Sequence, residues 1–256
     1  MRFAFVILGT VVASLMALGT VYFWGLSQVY PRFDHPFLEA PLPWIAVPYQ
    51  WAQDTEVNGP KDVTKPETLQ WWVDIYRSSG GALVVNSQAG ALSLHDLLAE
   101  APPHQKWILN FKQNTEDLDR QAADILRPLA SRQDFLVQSD FDIVLRATKA
   151  EFAPVPYGSS QSDRMRFRTF GGMAPWPGGL LPATPFRGDV FVTPLKWHAV
   201  SLIDDAIRTE LKRRQKPLLL GPLSSRQELE QAQQLRPEGV YLTEKSLLPE
   251  WRRLAH

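Results

Sequence analysis

The chain has 256 residues, 27 basic and 27 acidic side chains, 21 prolines, nine tryptophans and no cysteine. A net charge of zero supplies no long-range field for a polyanion, so no nucleic-acid partner is expected. The lack of cysteine excludes disulfides, thiolate metal sites and thiol nucleophiles.

Residues 3–26 carry no charged side chain over 24 positions. A helix of that length measures about 36 Å, enough to cross a hydrocarbon layer roughly 30 Å thick with some tilt. Tyr22, Phe23 and Trp24 at its far end suit the membrane interface. The expectation is an uncleaved transmembrane anchor over residues 1–26. A cleaved signal peptide is the competing reading; its apolar core would be shorter, and Ala17-Leu18-Gly19 is a weak cleavage site. Arg2 precedes the span and Arg32 is the next basic residue after it, which favours a single-pass protein with its domain on the extracytoplasmic side.

Residues 27–43 are expected to form a tether, because proline punctuates an aromatic stretch from Tyr30 onward and an extended path over the membrane surface follows. The domain is then expected at 44–256. Short apolar runs suit strands at 44–47, 82–85, 107–111, 135–137, 155–157, 190–192, 218–220 and 240–242. Polar helix-compatible stretches lie between most of them, at 67–78, 94–100, 115–131, 143–150, 198–214 and 225–235. Strands apolar on both faces, alternating with amphipathic helices, imply a parallel sheet under helical cover. Eight of them predict an α/β fold of the (β/α)8 barrel type, preceded by one transmembrane helix. An open doubly wound sheet is the alternative, but no glycine-rich nucleotide loop supports it.

Ser93 is placed to cap the helix at 94–100, with Asp96 in its first turn, and Ser224-Ser225 to open the last long helix. His95 and Asp96, adjacent on a helix, point to different faces and read as surface residues. His35, His104, His198 and His256 have no spacing that would bring two imidazoles to one metal, and no Gly-x-Ser-x-Gly elbow occurs.

Several segments in this order resemble the glycerophosphodiester phosphodiesterase family, a barrel related to phosphatidylinositol-specific phospholipases. Pro66-Glu67-Thr68-Leu69 with Gln70-Trp71-Trp72-Val73 resembles its opening helix. Gly80-Gly81-Ala82-Leu83-Val84-Val85-Asn86 resembles its second strand, which ends in glutamate-leucine-aspartate. Leu92-Ser93-Leu94-His95-Asp96-Leu97-Leu98 is similar to the next helix, and Ile108-Leu109-Asn110-Phe111-Lys112 to a strand ending in glutamate-x-lysine. Phe135 to Ser139 with Phe141-Asp142, Lys216 to Leu220, and Gly239 to Glu244 resemble later strands.

The resemblance implies hydrolysis of phosphodiesters by two histidines and a calcium or magnesium ion held by three carboxylates. The implied positions depart from that pattern. Ala46-Val47-Pro48-Tyr49 stands where the first histidine would be, Val84 and Asn86 fall on two carboxylates, Asn110 on the third, and the second histidine has no counterpart. Amides and a valine cannot balance the charge of a hard divalent cation, so no cofactor, metal or catalytic residue is expected here.

Lys112 then faces either solvent or an anion at the barrel mouth, with Asn86, Asn110, Ser139 and Lys196 as candidate neighbours. Arg164, Arg166 and Arg168 would share one face of an extended segment, and the loop after them carries Trp176. That region reads as a surface for membrane lipid or a protein partner, or as a cap on the barrel with its arginines in ion pairs. The expected function is a membrane-anchored, non-catalytic barrel binding a phospholipid-like anion or a protein partner. A divergent phosphodiester hydrolase using residues such as Asp34, His35, Asp54, Glu56 or His198 is the alternative, and a structural component of a membrane assembly the second.

Overall fold

The structure is a computed structural model and describes residues 2–39, 43–53, 69–87, 90–103, 105–115, 117–131, 134–173, 178–198 and 200–254. Helix α1 (Arg2–Ser27) is followed by a mixed α/β unit. Within α1, Phe5–Ser27 has a mean hydropathy of 2.0 and is long and apolar enough to cross a membrane.

The strands are β1 (Trp44–Pro48), β2 (Leu69–Arg77), β3 (Leu83–Ser87), β4 (Gly90–Ser93), β5 (Lys106–Phe111), β6 (Asp134–Ser139), β7 (Phe191–Thr193), β8 (Lys196–Trp197), β9 (Val200–Ser201), β10 (Leu218–Leu223) and β11 (Gly239–Leu242). The helices are α2 (Leu94–Glu100), α3 (Leu118–Leu126), α4 (Asp142–Glu151), α5 (Gln161–Gly171), α6 (Asp205–Arg213), α7 (Arg226–Leu235) and α8 (Leu247–Leu254). Seven strands pair in parallel in the order β6-β5-β2-β1-β11-β10-β7. The two ends approach each other through Tyr157, which forms a lone parallel bridge with Val137. The Tyr157 carbonyl accepts from the backbone N–H of Asp189 at 2.7 Å and of Val190 at 3.1 Å. The strand expected at 155–157 is thus one bridge long, and no continuous ladder closes the sheet there.

Two apolar layers stabilise this arrangement. Leu69, Trp71, Val73 and Ile75 of β2 pack in the larger cluster with helix residues such as Leu97, Ala122, Leu145 and Ile207. Trp72 of the same strand packs on the sheet's other side with Phe37, Trp44, Ala46, Ile108, Leu136, Val192 and Leu219. Such period-two partition belongs to a strand buried on both faces.

Several expectations are corrected. Residues 69–77 form a strand rather than the expected helix; apolar residues at every second position match a pleat, and residues 67–68 lie outside the described residues. The run at 82–85 is a strand, but β3 pairs antiparallel to β2 and forms a hairpin with β4. The segment around Arg164, Arg166 and Arg168 is helical, not extended. Ser160 accepts from the Asp163 N–H while the Asp163 carboxylate accepts from the Ser160 N–H, a reciprocal cap that starts α5. Ser93 makes no side-chain cap, whereas Ser225 accepts from the Glu228 N–H as expected. His95 and Asp96 do meet, Nδ1 to Oδ1 at 3.1 Å, both well exposed.

The presumed tether is also part of the core. Phe37 and Leu38 are buried in the inner cluster at the N-terminal ends of the strands, and the Lys106 ammonium donates to the Pro36 carbonyl at 2.8 Å. Burying one such ring is worth about 2–3 kcal/mol, so this stretch acts as a floor under the sheet.

The end of α1 is fastened to the same side. The Arg213 guanidinium donates to the carbonyls of Gly25 (3.3 Å), Leu26 (3.3 Å) and Gln28 (3.2 Å) at the C-terminal end of α1. The Tyr30 ring lies 5.4 Å from the Arg213 guanidinium and 4.7 Å from that of Arg214. Gly25 is required by close approach: a Cβ there would sit 2.4 Å from the Pro182 carbonyl carbon.

Candidate functional site

The parallel register stacks inward-facing residues of β2, β5 and β6 in three rows. Gln70, Lys106 and Asp134 pair at the N-terminal end, Trp72, Ile108 and Leu136 in the middle, and Asp74, Asn110 and Gln138 at the C-terminal end. The middle row is apolar and seals the interior. The last row opens into a cavity of about 360 Å³, whose lining includes Trp72, Asp74, Asn110, Lys112, Asp140 and Arg164. Thr193, Trp197, Pro222, Tyr241 and Thr243, from the ends of other strands and the loops beyond, complete the wall. A mouth at the C-terminal ends of parallel strands is where barrels of this architecture carry their sites.

Asp74 is the centre of this mouth. Its Oδ1 accepts from Asn110 Nδ2 at 2.6 Å and from Trp72 Nε1 at 2.9 Å. Trp72 in turn stacks on Tyr241 with centroids 4.2 Å apart and planes 10° from parallel. Ionisation of the Tyr241 hydroxyl is pushed up, first by burial and then by the Asp74 charge, so it stays protonated. Arg164 is buried and donates to Asp140 Oδ1 at 2.5 Å and to the carbonyls of Ser159 and Val192. Lys112 is exposed at the rim just past β5, its backbone N–H donating to the Ile75 carbonyl at 3.1 Å. Two cations thus face two carboxylates across a wall rich in aromatic rings and amides.

The structure brings together only some of the residues singled out from sequence. Asn110, Lys112 and Arg164 share the mouth. Asn86 is exposed on β3, its carbonyl accepting from the Gln50 amide at 3.1 Å, and does not line the cavity. Ser139 is fully buried, donating to the Phe111 carbonyl at 2.8 Å and accepting from the Phe141 N–H, so its hydroxyl serves the backbone. Lys196 lies in the small β8–β9 hairpin and borders an adjoining cavity with Leu195, Gln227 and Glu228. Arg166 pairs with Asp163 at 3.7 Å and Arg168 with Asp204 at 3.1 Å, so the three arginines form no common stripe. Trp176 lies outside the described residues, as do Asp54 and Glu56.

The residue sequence reasoning missed is Asp74. β2 is the parallel strand that runs beside β1 and β5 and brings Asp74 to its C-terminal end, whereas Val84 and Asn86 lie on the antiparallel β3. A carboxylate therefore stands at the mouth where none was expected. The signal was present in the alternation of Gln70, Trp72 and Asp74 within an otherwise apolar run.

Among the described residues the cavity lining presents two carboxylates, Asp74 and Asp140. One Asp74 oxygen already accepts two hydrogen bonds, and Asp140 is held by Arg164. Among the described residues no group of three or more histidine, cysteine, aspartate or glutamate side chains is arranged to hold a metal. Among the described histidines, His35 lies at the opposite, N-terminal end beside Lys106 and Asp134, and its pKa is lowered, chiefly by burial. His95 is on the surface of α2 and His198 in the turn between β8 and β9.

No protein-family model matches the chain, and no curated protein matches it. Solved structures do. The glycerophosphoryl diester phosphodiesterase domain of an uncharacterized protein from Mycobacterium tuberculosis superposes with a TM-score of 0.58 at 12% identity, covering 82% of this chain and 99% of that one. A putative glycerophosphoryl diester phosphodiesterase from Agrobacterium tumefaciens gives 0.55 at 11% identity, covering 83% and 98%. A glycerophosphodiester phosphodiesterase from Parabacteroides distasonis gives 0.53 at 9% identity, covering 84% and 98%. The chain has the fold of these phosphodiesterases.

Proposed function

We propose that this chain is a membrane-anchored domain of the glycerophosphodiester phosphodiesterase fold that binds a small phosphate ester at its mouth without hydrolysing it. The observation that carries this reading is the environment of Asp74, whose Oδ1 is engaged by Asn110 at 2.6 Å and Trp72 at 2.9 Å. An amide and an indole thus stand beside the carboxylate where the fold's hydrolytic chemistry calls for further anionic ligands. General acid–base hydrolysis also needs one group to activate water and another to protonate the leaving alkoxide. Asp140 is ion-paired to Arg164, and Tyr241 is held protonated.

The same wall suits binding. Lys112 supplies a cation for phosphate at the rim, Asp74 retains acceptor capacity for a ligand hydroxyl, and Trp197 offers a partly exposed ring. A cavity of about 360 Å³ falls in the range of small-ligand sites, which supports a ligand over a purely structural role. The mouth lies at the strand C-termini, whereas Arg213 and Pro182, which hold the end of α1, precede β10 and β7. Its ligand accordingly comes from the aqueous phase on the domain's side of the membrane rather than from the anchoring bilayer.

Titration calorimetry of the full chain in detergent, with glycerol 3-phosphate and with glycerophosphodiesters, tests this. Binding is expected without added metal, and Lys112→Ala should weaken it about 10- to 100-fold, the worth of one hydrogen bond to a charged group. The open cavity beside Asp74 also admits a divergent hydrolase. Calcium- or magnesium-dependent release of glycerol phosphate, lost in Asp74→Asn, would establish that reading and sink the first.

A further inference from the structure

A second cavity, of about 310 Å³, lies at the opposite end of the strands. Its wall includes Arg32, Lys212, Lys216, Asp189 and Glu238, with Phe33 and Trp44 at its apolar side. Both carboxylates are already matched. Glu238 accepts from Arg208 at 2.6 and 3.0 Å and from the Leu218 N–H at 2.8 Å, while Asp189 accepts from Lys149 at 2.9 Å and Lys216 at 3.4 Å. Arg32 reaches no closer than 3.9 Å to Asp34, with both side chains largely in solvent. Arg32 and Lys212 therefore add positive charge to a cavity whose own acids are satisfied.

Where this cavity sits relative to a bilayer follows from the fastening of α1. A hydrocarbon layer of about 30 Å takes about 20 helical residues; counted from Phe5, these end at Trp24. Gly25, the next residue, is in backbone contact with Pro182 and Ala183, and Arg213 grips the carbonyls of Gly25, Leu26 and Gln28. The domain's N-terminal end thus begins at the level where hydrocarbon gives way to headgroups. Lys212 and Lys216 flank Arg213 and Arg214, and Arg32 follows α1 within a few residues. If α1 crosses a bilayer, these cations fall at headgroup depth.

We propose that this cavity holds the phosphate of an anionic phospholipid from the bilayer that α1 crosses, with Arg32 and Lys212 as its ligands. The proposal rests on the membrane-anchor reading and is independent of what the mouth binds. An anionic headgroup beside juxtamembrane cations gains about 1 kcal/mol per charge. Two charges amount to roughly thirty-fold preference over a zwitterionic headgroup.

The test uses the full chain purified in neutral detergent and offered dioleoylphosphatidylglycerol or dioleoylphosphatidylcholine, with retained lipid counted by native mass spectrometry. Phosphatidylglycerol should be retained roughly thirty-fold more strongly, and the double variant Arg32→Ala/Lys212→Ala should fall to the phosphatidylcholine level. Both positions are solvent-facing, so its unfolding midpoint should match the parent's. Equal retention of the two lipids, or undiminished phosphatidylglycerol retention by the double variant, overturns the site. Carbonate extraction separates the two levels: a chain released from membranes at alkaline pH overturns the anchor and this site together, whereas a resistant chain without lipid preference overturns the site alone.

Discussion

Replacing Asn110 by aspartate probes the arrangement on which the functional reading depends. Asn110 is buried and its Nδ2 lies 2.6 Å from Asp74 Oδ1, so a carboxylate in its place starts in direct contact with the Asp74 charge. The substitution removes a hydrogen bond to a charged group, worth about 1.5–3 kcal/mol. It also sets two negative charges roughly 4 Å apart, which costs about 4 kcal/mol at the effective dielectric of a site near the surface. After some relaxation the loss should be about 4–6 kcal/mol near neutral pH, or roughly 10–20 °C in unfolding midpoint for a domain of this size. Asn110→Ala removes the hydrogen bond alone and should lose about half as much or less. Differential scanning calorimetry of both full-length variants measures the difference. Calcium at about ten times its dissociation constant should return about 1.4 kcal/mol to Asn110→Asp, since a folded-state ligand stabilises by mass action, and nothing to the parent. An Asn110→Asp variant no weaker than Asn110→Ala would refute the Asp74–Asn110 contact. Calcium stabilisation of the parent itself would refute the metal-free mouth.

Three further outcomes are expected. Arg214, fully buried, donates to Glu210 at 2.5 Å and to the carbonyls of Leu181, Pro182 and Thr184; Arg214→Ala strands these acceptors and should cost about 3 kcal/mol by calorimetry, because Arg213 still neutralises Glu210. Gly25→Val drives a side chain into the Pro182 carbonyl carbon, at 2.4 Å from its Cβ, so α1 should detach from Arg213 and trypsin should cut after Arg32 faster than in the parent. Burial lowers the pKa of His35, so the unfolded chain binds a proton more readily than the folded one. Stability is therefore full above the unfolded value of about 6.5 and falls as the pH drops below it. The midpoint should decline between pH 7.5 and 5.5 more steeply in the parent than in His35→Gln.

Much of the sheet was legible because strands covered on both faces read as unbroken apolar runs. β1, β5, β6, β10 and β11 declare themselves this way. β2 did not, although its burial is as complete. Pro66-Glu67-Thr68-Leu69 suggested a helix start, and the polar residues Gln70 and Asp74 look like a solvated face until the register shows that they point inward, beside Lys106 and Asn110. The misplaced strand then moved the expected carboxylates onto Val84 and Asn86 and hid Asp74. Lys112 and Asn110 were legible, being fixed at the end of a recognisable strand. Arg164 was noticed for the wrong reason: its place in the mouth comes from the reciprocal Ser160–Asp163 cap, which starts a helix where alternating arginines suggested a strand. Phe37 and Leu38 were lost in a proline-rich stretch because only tertiary packing reveals that they cover the open bottom of the sheet.

That floor has a consequence for the order in which the domain is made. Phe37 packs against Trp44, their ring centroids 6.0 Å apart, and Trp44 pairs with Gly239 in β11, so partners from opposite ends of the chain meet at one spot. Contacts of such sequence separation are slow to form because a long loop must close first. During synthesis α1 and the floor emerge well before β11, the strand that pairs with Trp44. Until β11 arrives, the rings of the floor lack the strand that closes the sheet over Trp44.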